Sequence, residues 1–320
     1  MPTLSVKLGK IKLKNPVMVA SGTFGYAEEF KDFIDLRKLG AIVTKTITLN
    51  PRLGNPSPRT CETPAGMLNS IGLENPGIDG FIKEKLSFLK KIGVPLIISI
   101  ASVDDPEEFV ALSKRLDKIK EVSAIELNIS CPNITPHATR HTPHAKSVQR
   151  AACSQLIAQD AKATYKLVNA VRKITQKTLI TKLSPNVTDI VEIAQATQAA
   201  GSDAISLINT LTGMSIDIET KKPKIATLTG GLSGPAIRPV ALRMVWEVYR
   251  NVKIPIIGMG GIMDTASALE FFIAGATAIS VGTANFINPK VSIEIIEGLR
   301  NYMLKNKIKD INSVIGSLKI

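Results

Sequence analysis

A chain of 320 residues with 44% hydrophobic and 21% charged side chains can bury a large core, which excludes a globally disordered protein. The formal net charge of +13 favours anionic ligands, but 4% aromatic residues and the lack of a recognisable binding motif speak against nucleic acid. No apolar run reaches the roughly 18 residues of a membrane span, and residues 1–10 lack the apolar stretch of a signal peptide, so a cytoplasmic location is expected.

Residues 4–17 alternate Leu, Val and Ile with Lys around Gly9-Lys10 and read as a β-hairpin able to plug the bottom of a barrel. Eight short runs begin there, at 17–20, 41–44, 96–100, 124–127, 179–182, 204–208, 256–259 and 278–281. They are near-continuously apolar, as strands buried on both faces are. Helix-like stretches lie between them at 106–119, 164–174, 189–200, 239–249 and 265–274. Such alternation implies parallel strands with right-handed crossovers, and eight strands imply a closed (β/α)8 TIM barrel rather than an open sheet. Three connections, 46–79, 129–160 and 209–236, are too long for plain turns. All follow strands, which puts them on the C-terminal face as lids or binding loops. No linker interrupts the chain, so residues 1–320 read as one domain.

The strand ends collect Ser21-Gly22, Lys45, Asn128 and Cys131, Lys182, Asn209-Thr210, Gly260-Gly261 and Gly282-Thr283. Glycine pairs after the last two strands expose N–H groups, a common phosphate cradle, with Gly230, Gly231 and Gly234 as further donors; the alternative is that they only turn the chain. Lys45 and Lys182 each end an apolar run. A lysine there is costly unless it faces an anion, or it snorkels to the surface. Asn69, Asn128, Asn133 and Asn209 offer both donors and acceptors to a neutral planar ligand. Cys131, on a loop beside polar neighbours, suits chemistry, whereas Cys61 and Cys153 read as structural. Three cysteines with no metal spacing fit a reducing compartment. All three histidines, His137, His141 and His144, share the second long loop. Pro136 and Pro143 interrupt any helix there and no acid lies near, so a basic lid is expected rather than a metal site.

Several ordered motifs carry a family resemblance: ASGTFG at 20–25, GMLNSIGLENPG at 66–77, ELNISCPN at 126–133, KLSPNVTD at 182–189, INTLTGMSID at 208–217, GGLSGPA at 230–236 and GMGGI at 258–262. From about Ser5 to Pro289 the chain resembles class 1 dihydroorotate dehydrogenases, and most closely the NAD-linked class 1B catalytic subunit. The resemblance implies oxidation of dihydroorotate to orotate with FMN as hydride acceptor, in pyrimidine biosynthesis. Cys131 is then the general base, at a place where the membrane-bound class carries serine. Lys45, Asn69, Ser70, Ile71, Gly72, Leu73, Asn128, Asn133, Asn209 and Thr210 surround the substrate. Ser21, Lys45, Thr46, Ser99, Asn128, Lys182, Ile208, Gly234, Gly260, Gly261, Gly282 and Thr283 hold FMN. A homodimer is implied, extended to a heterotetramer by an electron-transfer subunit carrying FAD and an iron–sulfur cluster. This chain has no GxGxxG fingerprint for NAD and too few cysteines for a cluster.

Two positions depart from the family pattern. Ser99 stands where the family usually has Asn at the end of the third strand, and its shorter reach predicts weaker FMN retention. After Asn133 the loop is longer and of different composition, which bears on closure and specificity. The rival readings are a class 1A fumarate-linked enzyme, a related dihydropyrimidine dehydrogenase, and a non-catalytic FMN barrel scaffold.

Overall fold

The computed structural model describes residues 2–102, 105–130 and 157–319. Eight parallel strands run Val17–Val19, Ala41–Val43, Leu96–Ile100, Val122–Asn128, Thr178–Lys182, Ala204–Leu207, Ile256–Gly258 and Ala278–Val281, the first to eighth barrel strands in chain order. Each pairs with the next, and the eighth pairs with the first, Ser280 opposite Met18, which closes the barrel. Every expected run overlaps one of these strands. All five residues of the third strand are buried, because one face meets the barrel interior and the other meets helices.

The N-terminal hairpin pairs Val6–Leu8 with Ile11–Leu13 and turns at Gly9-Lys10 as expected. Its Leu8 and Leu13 are fully buried and join Ile97, Ala124, Ile180, Ala204 and Ala278 in one apolar cluster. The Lys10 amide donates to Thr178 Oγ1 (3.0 Å) at the start of the fifth strand. The hairpin therefore closes the N-terminal end of the barrel, leaving the C-terminal end as the open one.

Helices Glu107–Asp117, Ala161–Arg172, Ile190–Ala199, Arg238–Asn251 and Thr265–Ala274 occupy the five helix-like stretches. Asp160, Asp189 and Asp264 cap three of them by accepting N–H bonds from the first turn, and each thereby fixes where a helix leaves a loop. A sixth, Val291–Lys305, lies beyond the expected set and packs Ile295, Leu299 and Met303 inward.

The first and third long connections carry strands. From the first come Thr60–Thr63 and Gly66–Asn69, and from the third Leu211–Gly213 and Gly230–Ser233. They form one four-stranded antiparallel sheet in which Gly66–Asn69 pairs with Gly230–Ser233 and places Asn69 opposite Gly231. The two lids are thus one structure joined over the barrel mouth. Of the second long connection, residues 131–156 are outside the described part, and with them the expectations for Cys131, Asn133, Cys153 and the three histidines.

Candidate active site

Between the barrel mouth and this sheet lies a cavity of about 1310 Å³ of free space, its open mouth included. Its walls come from the C-terminal ends of the strands, as barrel geometry requires. Ser21, Lys45, Thr46, Asn69, Ile71, Gly72, Leu73, Asn128, Lys182, Ile208, Asn209, Thr210, Gly234, Gly260, Gly261, Gly282 and Thr283 all line it. Residues separated by up to 262 positions in the chain are brought together here because parallel strands all end on one side.

Two expected residues stand back from the cavity. Ser99 is fully buried and hydrogen-bonds Thr46 Oγ1 at 3.0 Å, so its hydroxyl is spent behind the wall. Thr46 in turn meets Ser21 Oγ at 2.9 Å and accepts from Asn128 Nδ2 at 3.1 Å. Ser99 therefore acts on the lining through Thr46. Ser70 is also buried and directed away, accepting from Asn55 Nδ2 (2.9 Å) and Thr227 Oγ1 (2.7 Å) within the lid. Residues missed by the motif reading include Thr23, Met67, Ser233, Ser280 and Phe286. Ser280 had a usable signal: a small polar residue in the apolar strand sequence AISV.

A second polar chain runs from Asn128 across the mouth. Ser130 Oγ donates to Asn128 Oδ1 (3.3 Å), and Asn209 Nδ2 donates to Ser130 O (3.1 Å) and Ser130 Oγ (2.9 Å). Asn209 Oδ1 accepts the Thr210 amide at 2.8 Å. Both amides are thus oriented before any ligand arrives, and Ser130, near the start of the second long loop, is anchored to Asn209 just past the sixth strand. Such preorganisation reduces the ordering cost of binding.

Charge enters through the two lysines. Lys182 is 5% exposed and lines the cavity from the end of the fifth strand. Lys45 is partly buried, and burial holds its ammonium below the ordinary lysine range; Glu74 pulls the other way, Arg59 adds to the depression and Glu29 opposes it. Among the described residues neither lysine has an acid within ion-pair distance. Both cations therefore face an electrostatic demand that an anionic ligand meets.

On the wall that follows the seventh strand, Gly260 and Gly261 have φ of 128° and 72°. A Cβ at Gly261 meets Arg238 Cβ at 2.7 Å and Gly234 O at 2.8 Å, and one at Gly260 meets Ala241 Cβ at 2.8 Å. Side chains are excluded there, which leaves backbone amides as the wall. Beside them Thr283 Oγ1 donates to Ser233 Oγ at 2.9 Å. Among the described residues the buried Ser280 Oγ, which also lines the cavity, has no hydrogen-bond partner. An amide-lined end, fixed cations and a free buried hydroxyl suit a phosphorylated planar cofactor such as FMN.

The sequence profile of the family described as dihydroorotate dehydrogenase matches residues 3–303. The chain belongs to the dihydroorotate dehydrogenase family. It is 54% identical over 318 residues to a Trichlorobacter lovleyi protein named dihydroorotate dehydrogenase B (NAD(+)), catalytic subunit, covering 99% of both chains. Proteins of the same name from Geotalea uraniireducens and Thermoanaerobacter pseudethanolicus are 52% and 50% identical, each over 99% of this chain and 98% and 99% of theirs. The class 1B resemblance drawn from the motifs is thereby borne out. A crystal structure of DHODH from Eimeria tenella, in complex with ferulenol, superposes with a TM-score of 0.76 at 21% identity, covering 98% of this chain and 88% of that one. At that identity the likeness bears on the barrel alone, and there it agrees with the dihydroorotate dehydrogenase assignment.

Proposed function

We propose that this chain is the catalytic subunit of an NAD-linked dihydroorotate dehydrogenase, oxidising dihydroorotate to orotate in pyrimidine biosynthesis. The observation that carries the reading is the pair of cavity-facing lysines in one cavity with a glycine wall free of side chains, in a chain about half identical to class 1B subunits along its whole length. Residues 1–320 are taken as one FMN-binding barrel domain.

Gly234, Gly260, Gly261, Gly282 and Thr283 are assigned to the phosphate of FMN, and Ser21, Thr46, Asn128, Lys182 and Ile208 to its ring system. Ser99 belongs to this set only through Thr46. FMN, when bound, supplies an acceptor for the hydride from carbon 6 of dihydroorotate. Lys182 and Lys45 hold positive charge beside the place where negative charge accumulates, a stabilisation that needs no reorganisation during reaction. Asn69, Asn128 and Asn209, with Thr210 and the 70–73 segment, present amide donors and acceptors to the edges of a pyrimidine ring. Asn133 is assigned to the same edge by the resemblance.

Cys131 is assigned as the base that takes the proton from carbon 5. It follows Ser130, which Asn209 tethers over the mouth, so the loop that bears the base starts from a fixed point. The reaction requires the base and the hydride acceptor on opposite faces of the substrate ring, because a proton and a hydride leave adjacent carbons.

The partners assigned are a second copy of the chain and an electron-transfer subunit holding FAD and an iron–sulfur cluster, in a cytoplasmic complex. Among the described residues no helix is long and apolar enough to cross a membrane. The test is steady-state formation of orotate with an artificial acceptor, compared with dihydrouracil as substrate and fumarate as acceptor. Turnover of dihydroorotate with slow reaction of fumarate is expected. Preference for dihydrouracil, or no turnover with FMN bound, would overturn the reading.

A further inference from the structure

Among the described residues, just two side chains that carry formal charge are buried: Glu126, at 2% exposure, and Lys182, at 5%. They lie on adjacent strands of the barrel. Asn128 stands in register with Lys182, and both line the cavity. Glu126 precedes Asn128 by two residues, so it shares the inward face one step deeper. Its Oε2 accepts from Ser206 Oγ at 3.0 Å, while Oε1 has no partner among the described residues.

Ser206 lies on the sixth strand in register with Lys182 on the fifth. The Glu126–Ser206 bond therefore links the fourth strand to the sixth across the inner face of the fifth, the strand that carries Lys182. At this depth the first, third, seventh and eighth strands turn inward Met18, Ser99, Ile257 and Ser280, none of them charged. The other charged group facing Lys182 is Lys45, a like charge on the same cavity. Among the described residues no acid contacts the Lys182 ammonium directly, so its donors stay available to a ligand.

We propose that Glu126 is a positioning residue for the reaction: a buried counter-charge, held by Ser206 beneath the cavity floor, that balances Lys182 and offsets part of its field at the cofactor. A buried cation with no balancing charge is strongly disfavoured, and a contact ion pair would occupy the lysine's donors. A carboxylate one step deeper balances the charge while leaving those donors free. It also weakens the lysine's stabilisation of reduced flavin, so that the bound cofactor can still pass its electrons on.

This inference rests on the FMN assignment, and its test separates the two. Glu126→Gln keeps the shape and an acceptor for Ser206 but removes the charge. The ratio of dissociation constants for oxidised and reduced FMN, measured at neutral pH, should move about tenfold or more in favour of reduced FMN, as expected for removal of one unit charge from a partly screened interior. Glu126→Asp, which keeps the charge, should stay near the parent ratio, and Lys182→Met should move it the opposite way. An unchanged ratio in Glu126→Gln, or a move toward oxidised FMN, would overturn the proposal.

The second arm needs neither FMN nor a folded Glu126→Gln single variant. With FMN removed, the double variant Glu126→Gln/Lys182→Met should melt at least about 2 °C above Lys182→Met alone, because Lys182→Met leaves the Glu126 carboxylate unbalanced and the second change removes it. A double variant that melts no higher would overturn the pairing. If the parent binds no FMN, the cofactor assignment fails while this arm still decides the pair.

Discussion

At the residue scale, the side chains divide into those that touch a ligand and those that hold them in place. Lys45 belongs to the first group, and its depressed ammonium has a consequence for pH. Its charge is lost at lower pH than the ordinary 10.5, so affinity for the anionic dihydroorotate should begin to fall on the alkaline side before a free lysine would titrate. Lys45→Arg should move that fall to higher pH, read as the alkaline limb of the kcat/KM profile. For stability the sign is opposite: between the lowered value and 10.5 the unfolded chain binds more protons at this position, so the group makes the fold more stable as pH rises through the window. For Cys131, replacement by Ala should leave the protein yellow but slow flavin reduction by dihydroorotate about 10²–10⁴-fold, the usual loss for a general base. Reduction at the parent rate would remove Cys131 from the role. Ser99 and Ser70 mark the limit of reading at this scale. Motif position puts both in the site, but a one-carbon side chain can be consumed by the neighbour behind it, here Thr46 or Asn55 and Thr227, and a sequence does not show which neighbour that is.

At the element scale, the barrel was legible because buried parallel strands leave an unmistakable trace. Each is a short apolar run followed by a polar turn, and all eight expected runs overlap strands. The Val291–Lys305 helix was readable too: Val291, Ile295, Leu299 and Met303 recur at helical spacing and are buried. It fell outside a reading that stopped at the eighth strand. The lid sheet was harder, because Gly66–Asn69 and Gly230–Ser233 are partners 162 residues apart with little hydrophobic alternation. Their pairing depends on the barrel bringing the two connections together. The glycine wall gives an element-scale prediction. Gly261→Ala places a Cβ against Arg238 and Gly234 at a φ of 72°, and should lower unfolding stability by about 1–3 kcal/mol in urea titration. It should also loosen FMN, whereas Gly282→Ala, whose Cβ meets nothing nearer than 3.8 Å, should cost much less stability.

At the scale of the whole molecule, a closed floor and an open roof determine what the chain can exchange with its surroundings. The N-terminal hairpin seals one end with Leu8 and Leu13, so substrate and electrons pass through the C-terminal face. Phe286, 57% exposed at the cavity rim, lies on that face. The chain alone should therefore reduce its flavin with dihydroorotate yet transfer electrons to NAD+ slowly, and addition of an FAD and iron–sulfur subunit should accelerate the transfer by orders of magnitude. Rapid NAD+ reduction by the isolated chain would contradict the division of labour between two subunits.

The most direct measurement is anaerobic. The chain is purified alone, saturated with FMN, and mixed with dihydroorotate while its visible spectrum is followed. Rapid bleaching of the yellow flavin, with one orotate formed per flavin, is the expected result and joins the cofactor, the substrate and a working base in one observation. A protein that binds FMN and stays yellow would contradict the assigned reaction while leaving the barrel and its cavity intact.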